Sequence, residues 1–573
     1  MAHFTGKACL PALLTTAFLT GLPLIASAQF GAGNPPYTPE EGATDLKAVL
    51  FNWAWHMGML RGIDEHELIA TLEYQGTGTI KVNEQDCALD TYRASTNYQY
   101  AGQRIKYACT LPDGSPVARI EVVNWQYAWN EDLPGAEIVP GEGDATPMPE
   151  AVTERLIRLW ASPQGAVKAA LAGAGHPDPG QLPDNGTSMI GETRVSWENN
   201  LPVVTFPIPG VTGATAVAEL DDRYMAATVT VSHGEDTREF SYGDYGDWNN
   251  PLNRVEVLYA GRMTERLNGE IQRDITTEVT ETGSVYVVMP VPDSVRAAIT
   301  PAIAGGPPPV TPPDRLNVAG QNDDVPTPRL ANEKPDLTGN WSASGMNWRY
   351  GFRRCGPTQV DCSSVWNQTI DFEFEAPSRF GPNRPLYKPE HWDKVIELDM
   401  WTNREDPVMT CQPLGIPRNG PPRRIVHNEN DIIFFYGQYA DGGGGYGEYR
   451  IMPTDGRPHD PQQALQTKYM GYTVGHWEGD TLVLESIAFN DYTWLARGGF
   501  FHSDQMTVTE KFTRTGNEML YEVIVTDPEV LAEPWVMTPR VMTLNPDPGA
   551  GLLPERGNCE VYELEDITTQ IRH

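Results

Sequence analysis

The most concentrated set of groups able to move protons is Asn490, Asp491, Arg497, His502, Ser503, Asp504 and Glu510. An imidazole titrates near neutral pH, so His502 with Asp491, Asp504 or Glu510 can serve as general base and acid. Ser503, between His502 and Asp504, suggests a hydroxyl nucleophile. Neighbours on a strand point to opposite faces, however, so these three do not converge by sequence proximity alone. The Gly-x-Ser-x-Gly turn that exposes a hydrolase serine is also missing. The same residue types cap turns and satisfy backbone groups at a barrel rim. The sequence leaves both readings open.

Aromatic side chains offer a second chemistry. Trp477, Trp494, Tyr436 and Tyr446 lie in the second half of the chain, together with Trp341, Trp392 and Trp535. Such rings line cavities that stack on sugar or sterol-like rings, and they also fill ordinary cores. Arg418 lies in a Pro-rich loop, with Arg423 and Arg424 just after it, where guanidinium groups can hold a carboxylate or sulfate. Metal binding is less favoured. His427, His459, His476 and His502 are scattered, without His-x-His or His-Glu-x-x-His spacing, and no Asp-x-Asp-x-Asp-Gly loop suits calcium. No metal and no cofactor is expected. The glycine run at 442–445 lacks the Gly-Lys-Ser/Thr ending of a phosphate loop.

These groups belong to an acidic chain. Asp and Glu total 76 against 42 Lys and Arg, a formal charge of −34 over 573 residues. Such a field does not attract nucleic acid or anionic lipid, so neither is an expected partner. Residues 1–28 read as a secretory signal: Lys7, a short apolar run over 11–25, then Ala26-Ser27-Ala28. That run is broken by Gly21 and Pro23, and no later stretch of about 18 apolar residues occurs. Stable membrane insertion is therefore not expected, nor is a lipid anchor, since no Cys follows the cleavage site. The expected location is periplasmic or extracellular. Cysteine usage agrees: beyond Cys9 there remain Cys87, Cys109, Cys355, Cys362, Cys411 and Cys559, an even set suited to disulfides. Local pairing favours Cys87–Cys109 and Cys355–Cys362, leaving Cys411–Cys559.

The elements that must position these residues are mostly strands. The 54 Gly and 49 Pro favour short strands and turns over long helices. A Pro-rich stretch at 302–334 has no apolar period and reads as a semi-extended spacer between residues 29–301 and 335–573. The first part opens with a helical pattern over 45–59, then alternating strands at 104–109 and 118–123. A helical pair follows at 149–160 and 163–171, with Ser162 capping its second member. Strands are then expected at 202–208, 215–220, 225–232, 255–259, 275–281 and 284–290. This is an α+β pattern, a curved sheet wrapping one or two helices. The second part shows strands at 431–437, 481–487, 506–513 and 519–526, with a hairpin turn at Thr515-Gly516-Asn517. Evenly spaced antiparallel strands point to a barrel. The expected fold class is mainly β with an α+β N-terminal half: a curved half-barrel sheet plus helices, then a lipocalin-like antiparallel β-barrel.

Two resemblances accompany this reading. Residues 335–345 (PDLTGNWSASG) look like the opening Gly-x-Trp strand of a lipocalin-like barrel. The runs 475–483 (GHWEGDTLV) and 489–495 (FNDYTWL), then His502-Ser503-Asp504, Glu510 and 527–535, resemble a family of secreted bacterial β-proteins. That likeness implies a fold more than a reaction. The first part resembles the LolA-like half-barrel proteins of the bacterial envelope, which hold lipid between a curved sheet and helices. Strand order and the aromatic turn at 242–249 (YGDYGDWN) carry that resemblance, and no catalytic motif comes with it. The leading expectation is an exported soluble protein holding a small-molecule ligand in a β-barrel cavity or half-barrel cleft. The ligand would be partly apolar: a lipid, a sterol-like molecule or a glycan. The alternatives are an extracytoplasmic lyase, isomerase or hydrolase using His502 with Asp491, Asp504 or Glu510, and an envelope scaffold.

Overall fold

Asp45 starts the first helix, α1 (Leu46–His56), by accepting the Ala48 N–H at 3.2 Å. Most faces of α1 are apolar, and Leu46, Val49, Leu50 and Trp53 are fully buried, as suits a helix enclosed by other elements. The computed structural model describes residues 37–60, 69, 71–98, 101–176, 179–184, 187–247, 258–282, 287–303, 325–343, 385–400, 405–436, 448–496, 498–537 and 540–547. The signal segment, most of the spacer, the glycine run, Arg497, Tyr446, Cys355, Cys362 and Cys559 lie outside the described residues.

After α1 the chain forms an antiparallel meander: β1 (Thr71–Val82), β2 (Gln85–Asn97), β3 (Gly102–Thr110), β4 (Pro116–Asn124), β5 (Tyr127–Glu131) and β6 (Ala145–Pro147). The Cys87–Cys109 disulfide joins β2 to β3, as the local spacing predicts. Two helices follow, α2 (Val152–Ala161) and α3 (Pro163–Ala174). Ser162 between them accepts the Gly165 N–H at 3.3 Å, and Pro163 opens α3. A second meander runs through β7 (Met189–Ile190), β8 (Thr193–Glu198), β9 (Leu201–Pro207), β10 (Thr215–Leu220), β11 (Ala226–His233) and β12 (Asp236–Gly243). A small ladder of β13 (Gly246–Asp247) and β14 (Leu258–Tyr259) precedes β15 (Arg262–Leu267) and β16 (Glu270–Thr282). Because β16 pairs with β1, the two meanders fuse into one fourteen-stranded sheet.

That sheet is curved. Helix α2 touches both β4 and β11, which stand seven strands apart in the sheet. At about 4.8 Å per strand a flat sheet would separate them by more than ~30 Å, several times the radius of a helix. The sheet therefore wraps the helices as a half-barrel. The strand expected at 284–290 is not formed over residues 287–290. Carbonyls there accept side chains instead: Asn97 Nδ2 on Val287 at 2.9 Å, Arg104 Nη1 on Val288 at 3.1 Å and Asn124 Nδ2 on Met289 at 2.7 Å. The segment is thus seated on the sheet by side chains, and it leads into α4 (Asp293–Ala298).

The second part is a nearly closed antiparallel barrel. Its elements in chain order are β17 (Gly339–Ala343), α5 (Trp392–Met400), β18 (Arg424–His427), β19 (Asp431–Phe435), β20 (Tyr449–Pro453), β21 (Tyr472–Glu478) and β22 (Thr481–Ile487). A two-strand flap, β23 (Trp494–Ala496) with β24 (Phe500–Phe501), leads to β25 (Thr507–Thr515), β26 (Glu518–Thr526), β27 (Trp535–Val536) and β28 (Arg540–Leu544). The strand path is 20-19-18-17-28-26-25-22-21, with β27 beside β26. Its two ends meet where Gly456 N–H donates to Gly475 O at 2.9 Å. In the Gly339-Asn340-Trp341 strand, Trp341 is buried and its indole N–H donates to Leu337 O at 3.0 Å. The last ten residues of the expected spacer, 325–334, lie against this barrel, where Arg329 forms a two-pronged ion pair with Asp480 at 3.0 and 2.6 Å.

The two parts touch through α5 and the turn before it. Arg93 on β2 pairs with Asp393 at 3.0 Å, and the Arg104 guanidinium lies 4.8 Å over the Trp392 ring. Gly135 has a φ of +77°, and a Cβ there would fall within 2.7 Å of Pro389 and Trp392, so no larger residue fits this contact.

Alternation along β25 and β26 turns Glu510 and Tyr521 into the barrel, where Glu510 meets Arg450 of β20 at 2.6 Å and Tyr521 OH at 2.8 Å. Arg450 Nε also donates to Tyr436 OH at 2.8 Å. Breaking a fully buried pair strands a charge, so Glu510→Ala should destabilise the barrel by about 3–5 kcal/mol. Replacing both partners with Met and Leu should restore most of that loss. Denaturant melts followed by intrinsic fluorescence check this, and equal losses in the single and double variants would contradict it.

Candidate functional site

The residues singled out in the sequence do not converge. His502 is buried beside Thr493, whose Oγ1 lies 2.7 Å from its Nε2, while its Nδ1 lies 2.9 Å from the Ser503 carbonyl. With Nδ1–H on that carbonyl, Nε2 accepts from the Thr493 hydroxyl and the ring is neutral. Ser503 faces elsewhere: its N–H and Oγ–H both donate to Asp527, at 2.7 and 2.8 Å. Asp504 and Asp491 are exposed, and Asp504 accepts from its neighbour Gln505 at 2.8 Å. Glu510 is inside the barrel. The Thr493–His502 pair has the geometry of an activated hydroxyl, but Thr493 is 1 % and His502 3 % exposed, and Gly415 closes over Thr493. This pair ties the flap down, and no substrate reaches it in this conformation.

The proposed ligand-contacting residues are likewise dispersed. Tyr436 and Trp494 belong to the barrel core, among Phe434, Phe512, Leu484 and Val508. Trp477 is half-buried, with its ring 5.7 Å from that of His427 and the Lys334 ammonium 5.8 Å away. Arg423 and Arg424 are exposed on the barrel wall. Arg418 is buried and held by both oxygens of Asp406, at 2.8 and 2.7 Å. His427 accepts the Leu337 N–H at Nδ1, and His459 Nε2 lies 3.0 Å from Glu485 O. Among the described residues no three His, Cys, Asp or Glu side chains gather as a metal site. Cys411 is disulfide-bonded, with its partner outside the described residues. Among the described residues, the large side chains of the barrel core lie buried together inside the barrel.

Two hollows lie among the described residues of the first part. One, under α2, is lined by Tyr74, Tyr92, Tyr98, Tyr242, Tyr259, Arg158, Glu265 and Arg273 and measures about 50 Å³. It holds a few waters at most, well short of the ~300 Å³ of the smaller ligand sites. Its tyrosines are poor acids: burial pushes Tyr74, Tyr242 and Tyr259 well above the ordinary phenol value.

The other hollow is a cleft of about 530 Å³, within the usual range for small-molecule sites. One wall is a side of α1: Phe51 and Trp55, and Asn52 and His56, fall four positions apart, so the two pairs form adjacent rows along the helix. The second wall is the segment 38–42, carrying exposed Glu40 and Glu41. A turn from Ala43 N–H to Glu40 O at 3.1 Å shapes this segment, and Trp197 Nε1 on Thr44 O at 3.2 Å fastens it to β8. The third wall is Tyr224, in the tight turn between β10 and β11. The Asp221 carboxylate accepts the N–H groups of Arg223 and Met225 at 2.9 and 2.8 Å. That turn holds Tyr224 at a φ of +59°, which costs a bulky residue about 1–2 kcal/mol. The strained backbone places the Tyr224 ring parallel to His56, with 6.1 Å between centroids and 7° between planes. Phe51 and Trp55 form a second parallel pair at 5.9 Å and 13°. Beside the cleft, Tyr37 meets Phe51 edge-on, and Lys47 places its ammonium 4.2 Å over the Tyr37 ring while pairing with Asp184. Burial, then Asp45 and Asp184, push the Tyr37 phenol up to about 12.

The sequence marks α1 as a helix by its apolar pattern but carries no motif that marks it as a site. The available signal was Trp55-His56 at the end of an otherwise buried helix, with two glutamates just before its cap. The contribution of Tyr224 depends on a turn that brings residues far apart in the chain together.

Burial holds both His427 and His502 below the ordinary imidazole value. The unfolded chain takes up protons near pH 6.5, and the folded chain only at lower pH, so stability falls as pH drops below about 6.5. Replacing both histidines with Gln should flatten this fall between about pH 7 and 5. Thermal melts across that window check it, and an unchanged slope would contradict it. No protein-family model matches this chain, and no curated protein matches it.

Proposed function

We propose that this protein is an exported, soluble binder of a small, partly apolar molecule, and that the ligand sits in the cleft on α1 rather than in the barrel. The observation that carries this reading is the cleft of about 530 Å³, walled by two parallel aromatic pairs and two carboxylates. Flat rings give a ligand apolar contact area, and a few polar groups at the edge fix its orientation. The Cys87–Cys109 disulfide is in keeping with an oxidising compartment outside the cytosol. A lipid headgroup region, a sterol-like ring or a sugar all fit a site of this size.

Native mass spectrometry of the purified full chain tests the idea. Wild type should carry or capture a small molecule, and Trp55→Ala should lose at least about tenfold in occupancy or affinity, as expected for an aromatic anchor. Trp55 is only half-buried, so the thermal midpoint should move little. Equal occupancy in wild type and Trp55→Ala would contradict the assignment.

A further inference from the structure

We propose that the cleft on α1 selects an organic cation, a quaternary or protonated ammonium on a small apolar body. This rests on the reading of the cleft as a ligand site and adds the charge of its occupant. Its described lining contains two carboxylates, Glu40 and Glu41, and no Lys or Arg. The faces of aromatic rings carry negative quadrupole density and attract a cation within about 6 Å. The cleft is lined by such rings, Phe51 and Trp55 on α1 and Tyr224 on the β10–β11 turn, with the glutamates on the segment 38–42.

The corner next to the cleft already holds an ammonium in this way. Lys47 is 5 % exposed, with its Nζ seated 4.2 Å over the Tyr37 ring and paired with Asp184. Burial, then the carboxylates of Asp45 and Asp184, oppose ionisation of the Tyr37 phenol beside the cleft. Over longer range the formal charge of −34 draws cations toward the surface and repels anions. An anionic lipid headgroup or a sulfated sugar would meet Glu40 and Glu41 with like charge. A neutral sugar could stack on the rings but would gain nothing from the field.

The test compares choline with 3,3-dimethylbutan-1-ol, which replaces the quaternary nitrogen by carbon and keeps the shape. Ligand-observed NMR titration of the full chain at low salt reads both. Choline should bind at least about tenfold tighter than the alcohol, the size of a well-placed cation–π and carboxylate contribution. The Glu40→Gln/Glu41→Gln variant should weaken choline several-fold, reduce its salt dependence and leave the alcohol unchanged. Both residues are exposed, so this variant should fold as wild type does. Trp55→Ala should weaken both probes. Equal affinity for the two probes, or choline binding indifferent to the double Gln variant, overturns the cation assignment while leaving a neutral ligand site. Binding of neither probe also overturns it, and the occupancy measured by native mass spectrometry then judges the site itself.

Discussion

The half-barrel depends on two guanidinium groups of α2. Arg155 and Arg158 are three residues apart, so they leave the helix on one face. Arg155 donates to the carbonyls of Val122 and Trp129 at 2.8 and 2.7 Å, on one arm of the sheet. Arg158 grips both oxygens of Glu265 at 2.9 and 3.2 Å, on the other arm. Arg238 and Arg273 complete the shell around Glu265, at 2.7 and 3.4 Å. Burial opposes the charge on each group, yet Arg158 and Arg273 hold the Glu265 carboxyl below its ordinary range. A helix bonded to both arms cannot leave the concave face without stranding these charges, and the sheet cannot flatten while it stays. Such a network adds little net energy over an apolar core, but it tolerates few alternative arrangements.

The position of the cleft follows from that constraint. With α2 fixed over the middle of the sheet and α3 packed on β8 and β9, α1 lies against α3 and β8 toward one end of the sheet. Its inner face is sealed by Val49, Leu50, Trp53 and their neighbours, and its other face meets the segment 38–42 and the β10–β11 turn. The space beneath α2 is consumed by tyrosines and ion pairs, so the sizeable hollow described here lies beside α1. The barrel follows the same logic. Arg450, Glu510, Tyr436 and Tyr521 span its interior from β20 to β25 and β26, joining the strands on either side of the seam where the sheet nearly closes. Among the described residues of both parts, paired polar groups reach into the interior of the half-barrel and of the barrel.

Much of the fold is legible in the sequence because its signals are local. Ser162-Pro163 marks the start of α3, the alternation at 215–220 gives β10 directly, and Cys87 and Cys109 lie close enough to pair across a hairpin. The long strands β1 and β2 are less visible, since Gly76 and Gly78 and the bulges beside them interrupt alternation. The candidate site was hidden for a different reason. His502, Ser503 and Asp504 are adjacent in sequence, yet the chain sends each toward a different partner. Phe51, Trp55, Tyr224, Glu40 and Glu41 come from three segments, and only the turn built on Asp221 and the seating of α1 bring them together. Spacing rules recognise groups on one element, and this cleft has no single element.

The proposed ligand seat is on α1. A crystal structure of the full chain grown with the cationic probe that binds it best would test this directly. Density is expected between Glu40 or Glu41 and the rings of Trp55 and Tyr224, with the Arg450–Glu510 interior unchanged. Density lodged inside a re-packed barrel, with the cleft on α1 holding only solvent, would contradict it.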